Sequence, residues 1–171
     1  MHRVVVCLLC VMLPAAVLCA GNPDFAVREK GGPRPEANPD KASVYIVRPA
    51  NVGKAIRIWA FADESALGMT KGNTYTHVYL DPGSYIFWSK AENVSAMEFA
   101  VEAGKTYFFK QKAKVGALKA RVKVEFLEET EGREALEKCE KYSTLTDAGR
   151  ARAAEIAAED FSTAREKAAD R

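Results

Sequence analysis

TYTHVYLDPGSYIFW, residues 74–88, contains two short runs of mostly aromatic and β-branched residues, a composition typical of β-strands. The runs are separated by DPGS, residues 81–84. Pro82 fixes its own φ before the bend, and Gly83 tolerates backbone conformations that other residues avoid. The stretch therefore predicts strand, turn and strand.

The same pattern of short strands and turns continues on both sides, from residue 41 to residue 127. MEFAV and TYFFKQKA are joined by residues 102–105, which predict a tight hairpin. Further on, LKARVKVEFLE alternates apolar with charged residues, as a half-buried strand does. About seven or eight strands with frequent turns predict a mainly β fold, an antiparallel β-sandwich over residues 41–127.

The composition fits one globular domain with additional segments. The chain has 171 residues, of which 48% are hydrophobic, and a formal net charge of +2. This composition excludes a collagen, a multi-pass membrane protein and a wholly disordered chain. The near-neutral charge gives no reason to expect a nucleic-acid partner.

Residues 1–20 have the features of a secretory signal peptide. His2 and Arg3 precede an apolar run of 17 residues that ends in small side chains. That run is short for a bilayer-spanning helix, which needs about 20 residues. We therefore expect export, with cleavage after Ala20 or Gly21, and an extracytoplasmic location: periplasmic, secreted or outer-membrane-associated.

Cys19 is a candidate lipidation site that would anchor the chain to a bacterial membrane. A lipoprotein signal normally has Gly, Ala or Ser before the lipidated cysteine, whereas Leu18 stands here. Plain secretion and an uncleaved leader remain the alternatives. Any membrane attachment is expected only through this lipid or the leader.

Two segments flank the predicted sandwich. Residues 21–40 contain four prolines and three glycines, which predict an extended, solvated tether. Residues 128–171 are rich in Ala, Glu, Lys and Arg and predict a helical extension, two helices with a break at residues 143–146. The second helix has only Ile156 and Phe161 as large apolar residues, so we expect it to lie on the surface or project into solvent.

Three motifs resemble those of the bacterial family called domain of unknown function 2846. They are Tyr-x-x-Arg-Pro at residues 45–49, the Pro-Gly turn at residues 82–83, and Ala-Gly-Lys-Thr-Tyr at residues 103–107. The resemblance covers roughly residues 41–127. It implies an extracytoplasmic β-sandwich and supplies neither a reaction nor a ligand. The motif residue Arg48 precedes Pro49, and we expect it to form a salt bridge or to clamp backbone carbonyls.

The sequence predicts no catalytic residue, no metal site and no cofactor. The chain beyond the leader has one histidine, His77, without a nucleophile elbow or a second metal ligand nearby. Its one cysteine, Cys139, falls at helical spacing with apolar neighbours, which favours a core position over a reactive thiol. We therefore expect a protein that is not an enzyme.

Two groups of residues could bind a partner. The first is a set of basic residues expected on a sheet surface, Lys110, Lys112, Lys119, Arg121 and Lys123. If its strands pair, like charges lie opposite each other, which lowers stability unless an anion neutralises them. That anion is either an external surface or the six glutamates of residues 128–140.

The second group is aromatic, with Trp59 and Trp88 as a candidate platform for sugar rings or as ordinary core residues. Together these features predict an exported, non-catalytic binding or structural module at the bacterial cell envelope. The alternative is a protein that binds glycans or anionic surfaces. Expected partners are an envelope protein, a glycan or an anionic surface.

Overall fold

The computed structural model describes residues 24–35, 37–50, 52–115 and 120–170. In that part of the chain, ten strands form two sheets and two helices follow the ninth and tenth strands. The elements are β1 (Ala26–Lys30), β2 (Ala42–Arg48), β3 (Ile58–Ala62), β4 (Ser65–Thr70), β5 (Thr74–Leu80), β6 (Gly83–Lys90), β7 (Val94–Val101), β8 (Thr106–Val115), β9 (Ala120–Leu127), α1 (Glu129–Glu137), β10 (Lys141–Leu145) and α2 (Asp147–Ala169).

The two sheets face each other as a sandwich. The six-stranded sheet has the order β1-β10-β5-β2-β8-β9, and the four-stranded sheet has the order β4-β3-β6-β7. Most neighbours are antiparallel, while β2–β8 and β10–β5 are parallel pairs. The predicted mainly β class, a β-sandwich with a C-terminal helix, is confirmed.

The predicted hairpin at residues 102–105 is wrong. Strand β7 pairs with β6 in one sheet, whereas β8 pairs with β2 and β9 in the other. Gly104 adopts φ +74°, and its N–H donates to the carbonyls of Asn38 and Lys41. The sequence of residues 102–105 predicts a tight turn. A turn that connects two strands of different sheets has the same local sequence as a hairpin turn, so the sequence could not distinguish them.

The space between the sheets holds an aromatic core that is crossed by buried hydrogen bonds. Phe87 of the four-stranded sheet stacks on Phe109 of the six-stranded sheet, with ring centroids 4.1 Å apart. Beside them, Gln111 is 1% exposed. Its amide donates to the Ser89 hydroxyl at 2.8 Å and to the Trp59 carbonyl at 3.3 Å, and it accepts from the Thr70 hydroxyl. This hydrogen-bonded group fixes how one sheet lies on the other.

Both outer faces of the sandwich are covered by helices, which gives four layers. Helix α1 packs Ala135 and Leu136 on the outer face of the six-stranded sheet. Helix α2 packs Ala153, Ile156 and Ala157 on the outer face of the four-stranded sheet. No helix in the described ranges is both long enough and apolar enough to cross a membrane.

The described part of the predicted tether, residues 24–35 and 37–40, is integrated into the fold, so the prediction of a solvated arm is wrong there. Strand β1 pairs with β10 over its whole length. Beyond it, the hydroxyl of Tyr75 donates to the carbonyl of Gly32, and that of Tyr45 donates to the carbonyl of Pro35. The prediction failed because the prolines lie outside β1, which leaves a short window free to pair.

The C-terminal extension also differs from the prediction. Residues 141–145, where the sequence suggested the end of one helix and a break, form β10 between β1 and β5. The Thr146 hydroxyl caps α2 by accepting from the N–H of Gly149 at 3.1 Å. Of the two placements expected for α2, it takes the one on the surface of the sandwich and does not project into solvent. Its small alanines allow close approach to the sheet: Ala153 and Ala164 are fully buried.

Candidate functional site

Strands β8 and β9 bring the predicted basic residues onto one face. Their register places Lys112 opposite Lys123 and Lys114 opposite Arg121. The intervening residues point into the core, since Gln111, Val122 and Val124 are buried. Because side chains alternate along paired strands, the cations of both strands share the outer surface. Lys110, Lys112, Lys114, Arg121 and Lys123 are hereafter called the basic face.

One carboxylate lies within this surface. Glu125 is opposite Lys110 in the register, and it forms ion pairs with Lys112 and, at 3.0 Å, with Lys123. The hydrogen bond from Lys112, followed by that from Lys123, lowers the pKa of Glu125 against the opposing effect of burial. Glu125 therefore separates two lysines that would otherwise face each other without an anion.

Three other cations of the basic face have no such partner. Lys110, Lys114 and Arg121 form no ion pair within the part of the chain that the structure describes. Lys114 and Arg121 are exposed and directly opposite each other. This end of the hairpin therefore carries positive charge that the described residues do not neutralise.

Helix α1 lies across a cleft from the basic face. The cleft has a volume of about 600 Å³, and Glu131 and Glu134 of the helix line it together with Lys110, Lys112 and Lys123. No ion pair joins α1 to the hairpin among the residues described. The α1 glutamates approach the basic face without pairing with it. Of the two anions expected from the sequence, the glutamates of residues 128–140 are therefore not the internal partner, and Glu125 takes that role for Lys112 and Lys123.

The helix is instead held by apolar packing. Gly132 lies so close to the sheet that a β-carbon on it would be 2.2 Å from the Phe108 ring. Ala135 and Leu136 extend that contact beside Cys139. Burial raises the pKa of the Cys139 thiol to about 11, so it is a protonated core residue at neutral pH.

The proposed aromatic platform is not exposed. Trp59 is 7% and Trp88 is 1% exposed, and both lie beneath α2. Trp88 stacks on Phe61 at 4.1 Å and donates its indole N–H to the Asp63 carbonyl at 2.7 Å. The two tryptophans are core residues, and the prediction of a sugar-stacking surface on them is wrong.

His77 and Ser43 form a hydrogen-bonded pair that no local motif indicated. The Ser43 hydroxyl and His77 Nε2 are 2.8 Å apart, and the imidazole packs against Tyr45 and Tyr79. Burial lowers the pKa of His77 to about 4, so the ring is neutral at pH 7. Ser43 has no exposed surface, and in this conformation its hydroxyl is closed to solvent.

Arg48 clamps a loop, one of the two roles expected from the sequence. Its guanidinium donates to the carbonyls of Ile56 and Gly53, each at 2.6 Å, and its side chain is fully buried. Burial lowers the pKa of Arg48 to about 10. The clamp fixes the loop between β2 and β3 against the sheet.

Two predicted site residues, Cys19 and Lys119, lie outside the described residues. No group of three or more His, Cys, Asp or Glu that could hold a metal ion occurs in the described ranges. The basic face is therefore the predicted binding site whose residues the structure brings together. Its internal anion, Glu125, was missed, although the sequence shows it as the acidic residue within the alternating strand.

The architecture defines a mainly β domain whose two sheets are flanked by helices. The family described as Protein of unknown function (DUF2846) matches residues 38–124, and the chain belongs to this family. An uncharacterized protein of Haemophilus influenzae is 26% identical over 123 residues, which cover 70% of this chain and 73% of that protein. No solved structure matches the chain. The resemblance noted from the three motifs is thus confirmed.

Proposed function

We propose that this protein is an exported, non-catalytic module of the bacterial cell envelope that binds an anionic surface through its basic face. The observation that carries the proposal is the direct pairing of Lys114 with Arg121, which no described carboxylate neutralises, next to the pair Lys112 and Lys123, which share Glu125. Directly opposed like charges lower stability unless an anion neutralises them. Glu125 forms ion pairs with only two of the cations, Lys112 and Lys123. The predicted signal peptide supports an extracytoplasmic site of action.

An anionic lipid surface is a suitable partner for this geometry. The cations lie on one face of a two-stranded ribbon, so several can approach a plane of phosphate groups at once. Each lysine or arginine near an anionic membrane contributes about 1 kcal/mol to binding, and salt weakens the attraction. Exposed Lys114 and Arg121 would make the first contact.

The test is cosedimentation of the purified protein with vesicles of phosphatidylglycerol and phosphatidylcholine. We expect binding that weakens with rising salt and is lost in vesicles of phosphatidylcholine alone. A basic-face variant should bind at least about tenfold more weakly, because four charge contributions are removed. Its substitutions are Lys110→Gln, Lys112→Gln, Arg121→Gln and Lys123→Gln.

A control variant removes the same charge elsewhere on the surface. Its substitutions are Lys30→Gln, Lys105→Gln, Arg165→Gln and Lys167→Gln, all at exposed positions. We expect the control to bind nearly as well as the parent protein. Equal loss in both variants, or no loss in the basic-face variant, would reject the basic face as the binding surface.

Export and anchoring have a separate test, mass spectrometry of the mature N-terminus from soluble and membrane fractions. A free Gly21 or Asn22 in the soluble fraction would indicate a diffusible exported protein. An acylated Cys19 in the membrane fraction would indicate a lipoprotein. An intact leader in cytoplasmic protein would contradict the proposed location.

A further inference from the structure

A second cationic site lies near the opposite edge of the six-stranded sheet. Four basic side chains, those of Arg28, Lys54, Lys71 and Lys141, line a pocket of about 140 Å³. Glu140 is the acidic residue that lines it with them. The basic face is on β8 and β9, so the two cationic surfaces are separated by the width of the sheet.

Tertiary pairing assembles this pocket from distant parts of the chain. The parallel pair β10–β5 places Lys141 beside Thr74, and the antiparallel pair β1–β10 places Arg28 beside Ser143. The carbonyl of Lys54 accepts the N–H of Gly72 at 3.1 Å, which holds the β2–β3 loop against the turn before β5. No local motif could have indicated such a site.

The charges of the pocket are not balanced by its own acids. Asp24 bonds one guanidinium nitrogen of Arg28, Nη2, at 3.2 Å. The other nitrogen, Nη1, is buried and has no hydrogen-bond partner. With Glu140 as the second acid, four cations meet two carboxylates. A buried guanidinium N–H without a protein partner is costly, and an oxygen atom of an anionic ligand can satisfy it.

The electrostatics of Lys71 agree with this geometry. Burial, followed by repulsion from Arg28 and Arg57, lowers the pKa of Lys71, and attraction to Asp24 only partly opposes them. The cationic form of Lys71 is therefore disfavoured in the folded protein. An anion in the pocket would stabilise the cationic form of Lys71.

The backbone N–H groups of residues 71–73, the turn that lines the pocket, already donate hydrogen bonds within the protein, so the side chains are the donors considered for a ligand. The N–H of Lys71 and the hydroxyl of Thr74 are hydrogen-bonded to each other at 3.0 Å, and the N–H of Asn73 donates to the Arg48 carbonyl at 2.9 Å. The turn is thus fixed. Lys71 projects from a rigid base rather than from a loose loop.

We infer that this pocket binds a single phosphate group, either free or as the monoester end of a larger molecule. The pocket volume of about 140 Å³ equals roughly four or five water molecules, which suits one tetrahedral oxyanion. An arginine fork together with lysine ammonium groups is the usual protein complement of phosphate. This function is separate from that of the basic face.

The first test measures the melting temperature and calorimetric binding of the purified protein with inorganic phosphate, in a chloride buffer of constant ionic strength. We expect saturable binding and a melting temperature that rises with phosphate concentration. Lys71→Met should weaken phosphate binding at least about tenfold, because it removes a charged donor. The control Lys167→Met removes an exposed cation of α2 and should bind as the parent protein does.

Lys71→Met also separates a binding role from a structural one. Without phosphate it should be as stable as the parent or more so, since the crowded cation is gone. Loss of phosphate binding with stability retained would support the inference. Unchanged phosphate binding in Lys71→Met, or no saturable binding by the parent protein, would overturn it.

The source of the phosphate is distinguished by two further ligands, glycerol 3-phosphate and vesicles that contain phosphatidic acid. To remove binding through the basic face, both are measured on the basic-face variant. Competition of glycerol 3-phosphate with inorganic phosphate would support a soluble monoester. If phosphatidic acid vesicles bind the basic-face variant, and the added substitution Lys71→Met abolishes that binding, a lipid headgroup would be supported as the source. If inorganic phosphate, glycerol 3-phosphate and phosphatidic acid vesicles all fail to bind the basic-face variant, while the parent protein still binds phosphatidylglycerol vesicles, this site alone would be rejected.

Discussion

Neutralising Glu125 should lower the stability of the protein while it strengthens binding to an anionic surface. Glu125→Gln keeps the size of the side chain and removes its charge. The carboxylate now pairs with Lys112 and Lys123, whose side chains are 46% and 50% exposed. Because these lysines are opposite each other in the strand register, they face each other without an anion in the variant.

The magnitude of the stability change is set by the exposure of the pairs. Each partly exposed ion pair contributes about 0.2 to 1 kcal/mol, and directly opposed like charges cost a similar amount. We therefore expect the free energy of unfolding to fall by about 1 to 2 kcal/mol at pH 7. Urea denaturation measures it as a lower midpoint with an unchanged slope.

The pH dependence gives the same prediction a second readout. The pKa of Glu125 is lowered in the folded state. The stability that its carboxylate contributes is therefore complete above the unfolded-state pKa and is lost as pH falls through the folded-state pKa. The difference between parent and variant should therefore disappear in acid. A difference that persists there would show that the substitution acts by another route.

Vesicle binding should change in the opposite direction. One added net positive charge on the basic face contributes about 1 kcal/mol, roughly a fivefold gain in affinity for anionic vesicles. The matched control is Glu98→Gln, an exposed residue of β7 in the other sheet, which changes the net charge equally. Glu98→Gln should alter stability by less than about 0.5 kcal/mol and leave affinity almost unchanged. Weaker or unchanged vesicle binding by folded Glu125→Gln would refute the assignment of the basic face.

Three further predictions concern the fold that carries the two sites. Gln111→Met should lower the free energy of unfolding, measured by urea denaturation, by about 2 to 4 kcal/mol, because it leaves buried polar groups without partners. An unchanged free energy of unfolding would contradict the hydrogen bonds that Gln111 forms between the sheets. Gly132→Ala should destabilise α1 by up to about 2 kcal/mol net, since its methyl group would overlap Phe108 by more than the helix-propensity gain offsets; a stabilised variant would place α1 farther from the sheet. His77 is neutral when folded, so its stabilisation is complete above pH 6.5 and is lost as pH falls toward its lowered pKa of about 4. His77→Gln should flatten the urea midpoint against pH over that range, and a curve parallel to that of the parent would contradict this.

The sequence predicted the β-sandwich because strand signals are local. Alternating residues such as Val122 and Val124 identify the buried side of β9 without knowledge of its partner. The same alternation placed the basic residues on the outer side, which the register confirms. Arg48, at a strand end, was expected to form a salt bridge or a carbonyl clamp, and the structure shows the clamp.

What the sequence could not provide was the partner of each strand. The turn at Gly104 does not reveal that the chain crosses to the other sheet, and β10 is bounded by helical sequence on both sides. The phosphate pocket depends entirely on such partners, since Arg28 and Lys141 meet only through β1–β10 pairing. The extent of the contact between α2 and the sheet was underestimated for another reason: it relies largely on alanines, which a search for large apolar residues overlooks.

The hydrogen bonds that hold β1 also determine how the domain would sit on a membrane. The hydroxyl of Thr146 donates to the carbonyl of Asp24 at 2.9 Å, so the fold begins there rather than after a long arm. If Cys19 carries a lipid, five residue steps separate it from Asp24, a reach of about 17 Å when fully extended. The domain would then lie close to the headgroups, with the start of β1 nearest to them. The basic hairpin lies at the opposite edge of the sheet, about 24 Å away across six strands, so the lipid and the basic face would contact separate surfaces or separate parts of one surface.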